Sequence, residues 1–206
     1  CRKIGLKSGQ RVLDIGSGWG SFTGYAAETY GVTAVGITVS QEQKEFADKR
    51  YERVPVETRL QDYRDINEPF DHVVSLGMFE HVGSRNYGAF MKTVHNALKD
   101  DGLFLLHTIG GNCSVRGTDP WIGKYIFPNS MLPSITQIGK SIEGLFVMED
   151  WHNFGADYDK TLMAWYQNFE SNWDQLKPNY NERFRRMWRY YLLACAGSFR
   201  ARKNQL

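Results

Sequence analysis

Short apolar runs alternate with amphipathic stretches over the first half of the chain. Ser21–Tyr30 predicts a helix that ends at Gly31, and Ser40 with Gln43 forms a capping-box pattern that opens a helix to about Arg50. A further helix is predicted near 87–98. The apolar runs have the length of buried strands and cover 11–15, 32–38, 56–60, 72–78 and 103–109. This alternation predicts an α/β fold with a doubly wound, mostly parallel sheet that binds ligands at the carboxyl ends of its strands.

The second half of the chain follows a different pattern. Residues 110–133 are rich in glycine, asparagine, proline and aromatic side chains, and they are too long for an ordinary connection, which predicts an inserted lid. After the lid, 134–144 is predicted to be helical and 146–151 to be a strand. Long helices are predicted at about 158–173 and 181–200. We therefore expect a single domain, 1–206, with a lid insert at about 110–133 and a helical addition at about 158–200.

Composition excludes several classes of protein. Hydrophobic residues make up 42% of the 206 residues and charged residues 23%, which excludes a disordered or fibrous chain. The mean hydropathy is −0.48 and every 18-residue window contains a charge, so no membrane-spanning helix is expected. Three cysteines without a CxxC spacing argue against a disulfide framework or a zinc site. No metal is expected, and the expected compartment is the cytoplasm.

The small net charge of +2 is distributed unevenly. Residues 177–206 contain eight Lys or Arg side chains and one acid, giving +7, so the rest of the chain carries −5. Arg185, Arg186 and Arg189 lie within about one helical turn, and aromatic residues such as Tyr190 are interspersed among the basic ones. Such a segment is typical of a surface that binds an anionic membrane or stacks on nucleic acid.

A glycine-rich segment directly follows the first predicted strand. Glycines let the backbone approach a ligand closely, and the next helix presents free N–H groups. A dinucleotide site would have G-x-G-x-x-G, whereas here the third glycine comes one residue early and an acid lies two residues before the first. This G-x-G-x-G pattern is typical of class I S-adenosylmethionine-dependent methyltransferases. The residues expected to bind that cofactor here are Asp14, Gly16, Ser17, Gly18, Trp19 and Gly20.

Four further residues are candidates for contacts with the ribose and adenine parts of the cofactor. Thr38 ends the second predicted strand, where common methyltransferases place an acid for the ribose hydroxyls, so we expect a weaker hydroxyl contact that Gln43 assists. Asp62 and Tyr63 follow the third strand and are expected to hold the adenine edge and stack on it. Plain packing of Tyr63 is an equally good interpretation.

Two titratable residues lie at neighbouring strand ends. Glu80 belongs to the segment Gly77-Met-Phe-Glu-His-Val-Gly83 after the fourth predicted strand, and His107 lies near the end of the fifth. The carboxyl ends of these strands form the ligand-binding edge of a doubly wound sheet. A glutamate and a histidine placed there can share a proton or a small anion, as acid–base catalysis requires.

Several long motifs resemble the cyclopropane fatty acid synthase family. They are Val12–Gly20, Gly77–Gly83, Leu105–Gly110, Glu149–Tyr158 and Tyr190–Phe199. The resemblance runs from about residue 5 to the end and is closer to the bacterial phospholipid enzymes than to the mycolic acid branch. It implies transfer of a methylene group from S-adenosylmethionine to the cis double bond of an unsaturated phospholipid acyl chain, which forms a cyclopropane ring.

The same resemblance implies a set of catalytic residues. In that family a bound bicarbonate serves as the base. The resemblance assigns the catalytic positions to Glu80, His107, the backbone of Ile109, Tyr158, Glu149 and Cys195. The first four are expected to hold the bicarbonate, Glu149 to orient Tyr158, and Cys195 to line the pocket without reacting.

The implied reaction passes through a carbocation, which needs a dry, aromatic surrounding. The candidates for an aromatic wall are Trp121, Tyr125, Phe127, Phe154, Trp165 and Phe169. Ordinary packing in the core is the better interpretation for any one of them.

The resemblance also sets expectations about the whole protein. Its members begin well upstream and continue into a last strand, so the chain is expected to be a catalytic core without the N-terminal region and without that strand. The expected partners are unsaturated phospholipid acyl chains at the inner face of a bacterial membrane, with peripheral association, and a homodimer in the full-length protein. Nucleic acid is not expected.

Two alternatives remain open at this point. One is a class I methyltransferase that acts on another lipid or on nucleic acid. The other is a non-catalytic lipid-binding module, whose behaviour would not depend on bicarbonate, Glu80 or His107.

Overall fold

The computed structural model describes all residues, Cys1–Leu206. The chain divides into two compact units. The first unit comprises Cys1–Thr108 and Ile138–Val147, and the second comprises Ile109–Gln137 and Met148–Leu206. The single domain with an inserted lid that the sequence suggests stays a prediction.

The first unit contains a five-stranded parallel sheet. Its strands are β1 (Arg11–Ile15), β2 (Thr33–Thr38), β3 (Val56–Leu60), β4 (Phe70–Leu76) and β5 (Leu98–His107). They lie in the order β3-β2-β1-β4-β5, so the chain crosses to the other side of β1 after β3. This crossing creates a switch point between β1 and β4, where ligands bind in open α/β sheets. The predicted doubly wound parallel sheet is confirmed.

The burial of the strands explains their composition. Val12 and Leu13 are both buried although they lie on opposite faces of β1, because both faces of a central parallel strand are covered. The edge strand β3 is largely accessible. Val12 packs in a core cluster with Ala26, Val32 and Val74. The continuous apolar runs at 11–15 and 32–38 are therefore a direct consequence of burial on two sides.

The helices of the first unit begin and end at local signals. They are α1 (Ser21–Tyr30), α2 (Gln41–Arg50) and α3 (Tyr87–Ala97), with short 3-10 turns at Tyr63–Asp65 and Phe79–His81. Gly31 adopts a φ of 66° and ends α1, a conformation that favours glycine. The Ser40 hydroxyl accepts a hydrogen bond from the backbone N–H of Gln43 at 3.2 Å and begins α2 as predicted.

The second unit is mainly helical. It contains α4 (Pro120–Tyr125), α6 (Gly155–Ser171), α7 (Trp173–Leu176) and α8 (Glu182–Arg200), and α5 (Ile135–Ile142) belongs partly to each unit. The helices α6 and α8 bury Leu162, Phe169, Leu192, Ala196 and Phe199 between them. A two-stranded antiparallel sheet pairs β6 (Gly110–Gly111) with β7 (Asn204–Gln205). No helix of the chain is both long and apolar enough to cross a bilayer.

Two expectations about these elements are corrected by the structure, and the lid stays a prediction. The strand predicted at 146–151 is wrong, because this segment forms no strand and leaves Val147 83% exposed. The predicted lid at 110–133 contains β6 and α4. The helix α4 begins at Pro120, and the carboxylate of the preceding residue, Asp119, caps it. The strand β5 begins at Leu98, five residues earlier than expected.

Candidate active site

The glycine loop after β1 makes a tight turn against the end of β2. Gly16, Gly18 and Gly20 adopt φ angles of 84°, 53° and 78°, which favour glycine over other residues. The backbone N–H groups of Gly16 and Ser17 donate to the carbonyl of Ile37 at 3.0 and 2.9 Å. A Cβ atom on Gly16 would lie 2.6 Å from Cγ of Met78, so only glycine allows this approach. The loop is therefore held close to both β2 and the segment after β4.

Asp14 is buried at the end of β1, next to this loop. Its side chain is 2% exposed, and its Oδ1 atom is buried without a hydrogen-bond partner. Burial raises the pKa of Asp14 to about 7, since a charged carboxylate is poorly solvated there. A buried polar atom without a partner is costly, so this atom is well placed to accept a hydrogen bond from a ligand.

Thr38 and Gln43 come together at the end of β2. The Thr38 hydroxyl donates to Oε1 of Gln43 at 2.6 Å and accepts from the backbone N–H of Ser40 at 3.2 Å. The hydroxyl hydrogen is therefore used within the protein, so the amide nitrogen of Gln43 is the donor that remains for a ligand, while the Thr38 oxygen can still accept a hydrogen bond. Trp19 is 51% exposed and packs edge-on against Phe46, with 5.3 Å between the ring centroids.

Asp62 and Tyr63 lie together just after β3. Asp62 binds the Arg64 side chain at 2.7 Å and accepts from its backbone N–H at 2.9 Å. These bonds lower the pKa of Asp62 to about 2, so its carboxylate stays charged. The Tyr63 ring packs edge-on against Phe90 at 5.2 Å, so packing accounts for part of its role.

The structure brings the Glu80 segment and His107 to neighbouring strand ends. Strands β4 and β5 pair through Leu76 and His107, and the backbone N–H of Gly77 donates to the His107 carbonyl at 2.8 Å. Glu80 lies three residues later in a 3-10 turn and is 7% exposed. The side chain of Met78 contacts the position of Gly16, so the same segment adjoins the glycine loop. These residues all belong to the first unit.

Tyr87 adjoins this region, and the sequence motifs did not predict it as a candidate site residue. It is 2% exposed at the start of α3, and its ring stacks on Phe79 with 4.1 Å between centroids. Its hydroxyl has no hydrogen-bond partner. Burial, together with the charge of Glu80, raises the pKa of Tyr87 to about 12. The available signal was an aromatic residue shortly after the Glu80 motif at the start of a predicted helix.

The other candidate catalytic residues belong to the second unit. Tyr158 lies in α6, where its ring packs edge-on against Phe199 at 5.0 Å. Ile109 packs at the border of the same core, as does Cys195 in α8. Burial raises the pKa of Cys195 to about 11, so the thiol is protonated at neutral pH.

Glu149 differs from the other residues of this set. It is exposed in the irregular segment between α5 and α6, and the structure gives it no hydrogen bond. Its expected action on Tyr158 therefore stays a prediction.

The six aromatic candidates for a wall all lie in the second unit but differ in burial. Phe169 is buried in the core, while Tyr125, Phe127 and Trp165 are 37%, 40% and 46% exposed. Trp121 packs against Tyr190, and Phe154 stacks on His152. Ordinary core packing thus explains Phe169 most completely. No group of three or more His, Cys, Asp or Glu side chains is arranged to hold a metal ion.

Comparison with known proteins extends over the whole chain. The family model described as mycolic acid cyclopropane synthetase matches residues 1–206. Cyclopropane-fatty-acyl-phospholipid synthase of Escherichia coli (strain K12) is 57% identical over 206 residues, which are 100% of this chain and 54% of that protein. The chain therefore spans about half the length of this curated relative.

Two solved structures share the architecture. The mycolic acid cyclopropane synthase CmaA1, complexed with SAH and CTAB, has a TM-score of 0.91 and 30% identity, covering 99% of this chain and 78% of its own. The cyclopropane synthase MmaA2 from Mycobacterium tuberculosis has a TM-score of 0.90 and 28% identity with the same coverages. The resemblance inferred from the motifs is confirmed, and so is the class I methyltransferase fold. The chain belongs to the mycolic acid cyclopropane synthetase family.

Proposed function

We propose that the protein transfers a methylene group from S-adenosylmethionine to the cis double bond of unsaturated acyl chains in membrane phospholipids. The observation that carries this proposal lies in the first unit. There the glycine loop and the buried Asp14 adjoin the strand ends that bear Glu80 and His107. The 57% identity to the E. coli phospholipid enzyme supports the choice of substrate.

The polar groups at the ends of β1, β2 and β3 fit S-adenosylmethionine. The buried carboxylate of Asp14, with an oxygen that lacks a partner, suits the ammonium group of the cofactor. The amide nitrogen of Gln43 suits a ribose hydroxyl, and Asp62 with Tyr63 suits the adenine ring. When bound, the cofactor supplies a methyl group that its sulfonium activates toward a weak nucleophile such as an alkene.

Glu80 and His107 are the proposed contacts of the bicarbonate that the family resemblance implies. A charged Glu80 would repel a bicarbonate unless a hydrogen lay between the two, and burial of Glu80 strengthens that repulsion. In the proposed arrangement Glu80 accepts a hydrogen bond from the bicarbonate hydroxyl, while His107 donates one. The backbone of Ile109 and the Tyr158 hydroxyl are further proposed contacts, on the strength of the family resemblance.

The protein must also keep water away from the cation that forms on the acyl chain during the reaction. Addition of a methyl group to the double bond leaves a cation on the chain, and ring closure requires the loss of one proton from that methyl group. Water would trap the cation, so the site must exclude it. Aromatic faces stabilise positive charge, and Trp165 and Phe127 are the proposed contributors. Cys195 lines the pocket as a neutral thiol.

The test is turnover on a lipid substrate. Vesicles of an unsaturated phospholipid are incubated with methyl-labelled S-adenosylmethionine, and the acyl chains are analysed by mass spectrometry and for loss of the olefinic proton signals. We expect a gain of one methylene with loss of the double bond. Glu80→Gln should reduce turnover by at least about a hundredfold, in the range found for positioned acid–base groups. Glu28→Gln, an exposed change of the same kind, is the matched control.

Three outcomes would contradict the proposal. One is labelled RNA in place of labelled lipid. Another is a gain of mass with the double bond retained, which indicates a methyl ester or branch. The third is turnover that persists after bicarbonate is removed from the buffer, which would exclude the proposed base while leaving the methyl donor in place.

A further inference from the structure

Acids outside the basic segment 177–206 neutralise much of its charge. Arg185 and Arg189 both bind Glu170, at 3.0 and 3.5 Å. Arg200 binds Asp159 at 2.9 Å. Two of the three arginines that the sequence suggested for a membrane, Arg185 and Arg189, are therefore paired within the protein.

Part of the charge that remains lies on the exposed surface of α8. Arg183 and Arg186 are exposed, and no ion pair joins either of them to an acid. They share one helical face with Tyr190 and Leu193, because the spacings of three, four and three residues follow the helical repeat. Tyr190 is 58% exposed and Leu193 is 41% exposed. This face therefore combines cations with accessible apolar surface.

Helix α4 extends the same surface. The Trp121 ring packs edge-on against Tyr190, with 4.6 Å between centroids. Lys124 lies 5.2 Å from the centroid of Tyr125, and the Arg183 side chain donates to the Tyr125 hydroxyl. We call the resulting surface the α4–α8 face; it consists of Lys124, Tyr125, Arg183, Arg186, Tyr190 and Leu193.

The composition of the α4–α8 face matches a membrane interface. Basic side chains are attracted to anionic headgroups, tyrosine rings favour the headgroup level, and leucine favours the acyl boundary. No ion pair joins Lys124, Arg183 or Arg186 to an acid, and Glu182, four residues before Arg186 on the same helix, pairs with Arg185. We propose that the α4–α8 face docks the protein on anionic phospholipid membranes. This inference rests on the proposed function, since the acyl substrate lies in such a membrane.

The geometry favours a membrane over nucleic acid. Stacking on bases needs aromatic faces that are open to a ligand. Here Trp121 and Tyr190 pack against each other at an interplanar angle of 76°, and Lys124 lies over Tyr125. The aliphatic side chain of Leu193 cannot stack on a nucleobase, whereas it is compatible with contact to acyl chains.

The test measures binding to two kinds of vesicle. The full chain is sedimented with phosphatidylcholine vesicles and with vesicles that also contain phosphatidylglycerol, at low and high salt. We expect tighter binding to the anionic vesicles, and we expect salt to remove the difference because it screens exposed charges. The double variant Arg183→Gln/Arg186→Gln should lose roughly thirtyfold in binding to anionic vesicles, about fivefold for each charge near the surface.

A matched control removes two charges elsewhere. Lys49→Gln/Lys92→Gln changes two exposed lysines on α2 and α3 that lie outside the α4–α8 face. This control should bind as the parent does. Leu193→Ser should weaken binding to neutral and anionic vesicles alike, because it removes apolar contact and no charge. Circular dichroism checks that each variant is folded.

Three results would overturn the inference. The first is equal binding of the parent to both kinds of vesicle at low salt. The second is equal loss in the arginine variant and in the lysine control. The third is tighter binding to a single-stranded RNA oligonucleotide than to the vesicles, with that binding lost in the arginine variant.

A separate assay distinguishes failure of this inference from failure of the proposed function. Methylene transfer to an unsaturated lipid dispersed in neutral detergent does not need docking. The Arg183→Gln/Arg186→Gln variant should retain that transfer while losing transfer in anionic vesicles. If even the parent transfers nothing to the dispersed lipid, the proposed function fails, whereas the vesicle-binding result still judges the docking face.

Discussion

Replacing Asp14 by asparagine is expected to change how stability depends on pH. Asp14 is 2% exposed at the end of β1, and burial raises its pKa from 3.8 to about 7. Because the pKa is higher in the folded state than in the unfolded chain, the folded state keeps a proton that the unfolded chain has lost. The contribution of Asp14 to stability therefore falls as the pH rises from about 4 to about 7.

The size of this effect follows from the shift in pKa. Each pH unit corresponds to about 1.4 kcal/mol, so the rise from 3.8 to about 7 amounts to roughly 4 kcal/mol of destabilisation above pH 7. Asparagine has nearly the same shape and carries no charge, so it removes this dependence. Its amide adds buried donors that need partners, which lowers stability by about 1–3 kcal/mol at every pH. The difference between variant and parent should thus shift by roughly 4 kcal/mol in favour of Asn between pH 4 and pH 8.

The assay is urea unfolding of Asp14→Asn and of the parent at several pH values. Asp101→Asn, at an exposed carboxylate, serves as the control and should show no such shift. Binding of S-adenosylmethionine supplies a second readout, since the charged carboxylate is the form that attracts the ammonium group. The affinity of the parent should rise through pH 7, whereas the variant should bind weakly with little dependence on pH.

Parallel stability curves for the two proteins would refute the reasoning. A constant difference from pH 4 to pH 8 would mean that the carboxyl of Asp14 titrates in the folded protein as it does in the unfolded chain. Burial would then not be the dominant influence on its charge.

Three further predictions concern packing and reactivity. Tyr87→Phe should raise the free energy of unfolding by about 1 kcal/mol in urea titrations at pH 7, because it removes a buried hydroxyl without a partner; a loss would show that the hydroxyl is bonded. Gly24→Ala should lower it by about 1–3 kcal/mol, since the added Cβ would overlap the Tyr51 ring; an unchanged midpoint would contradict this. Iodoacetamide at pH 8 should alkylate the exposed Cys113 much faster than Cys195, whose pKa of about 11 keeps the thiol protonated, and mass spectrometry of the labelled peptides would show equal rates if this is wrong.

Elements with local signals were predictable to the residue. The strand β1 and the helix α1 begin and end where the sequence predicts, and α2 begins after Ser40 as expected. Gly31 ends α1 and Ser40 caps α2 through bonds within one helical turn, so their effect does not depend on distant parts of the chain. The glycine loop is equally local, because its positive φ angles follow from its own residues.

Elements that depend on distant partners were not predictable. The segment 146–151 has the alternation of a strand but no neighbouring strand with which to pair, and Val147 stays exposed. The early start of β5 at Leu98 depends on pairing with Phe70 across a bulge in the ladder.

The fold class, the family and the positions of the candidate cofactor loop are predictable from the amino-acid sequence, because they follow from periodicity and from motifs of consecutive residues. Which charges are paired and which polar atoms are hydrogen-bonded depends on the folded structure. Glu170 pairs with Arg185 and Arg189 from another helix, whereas Arg183 and Arg186 of the same basic segment have no ion pair. Burial raises the pKa of Asp14, and no local sequence pattern predicts that burial. Solvation and charge pairing depend on distance in space, and the linear chain specifies that distance only once it has folded.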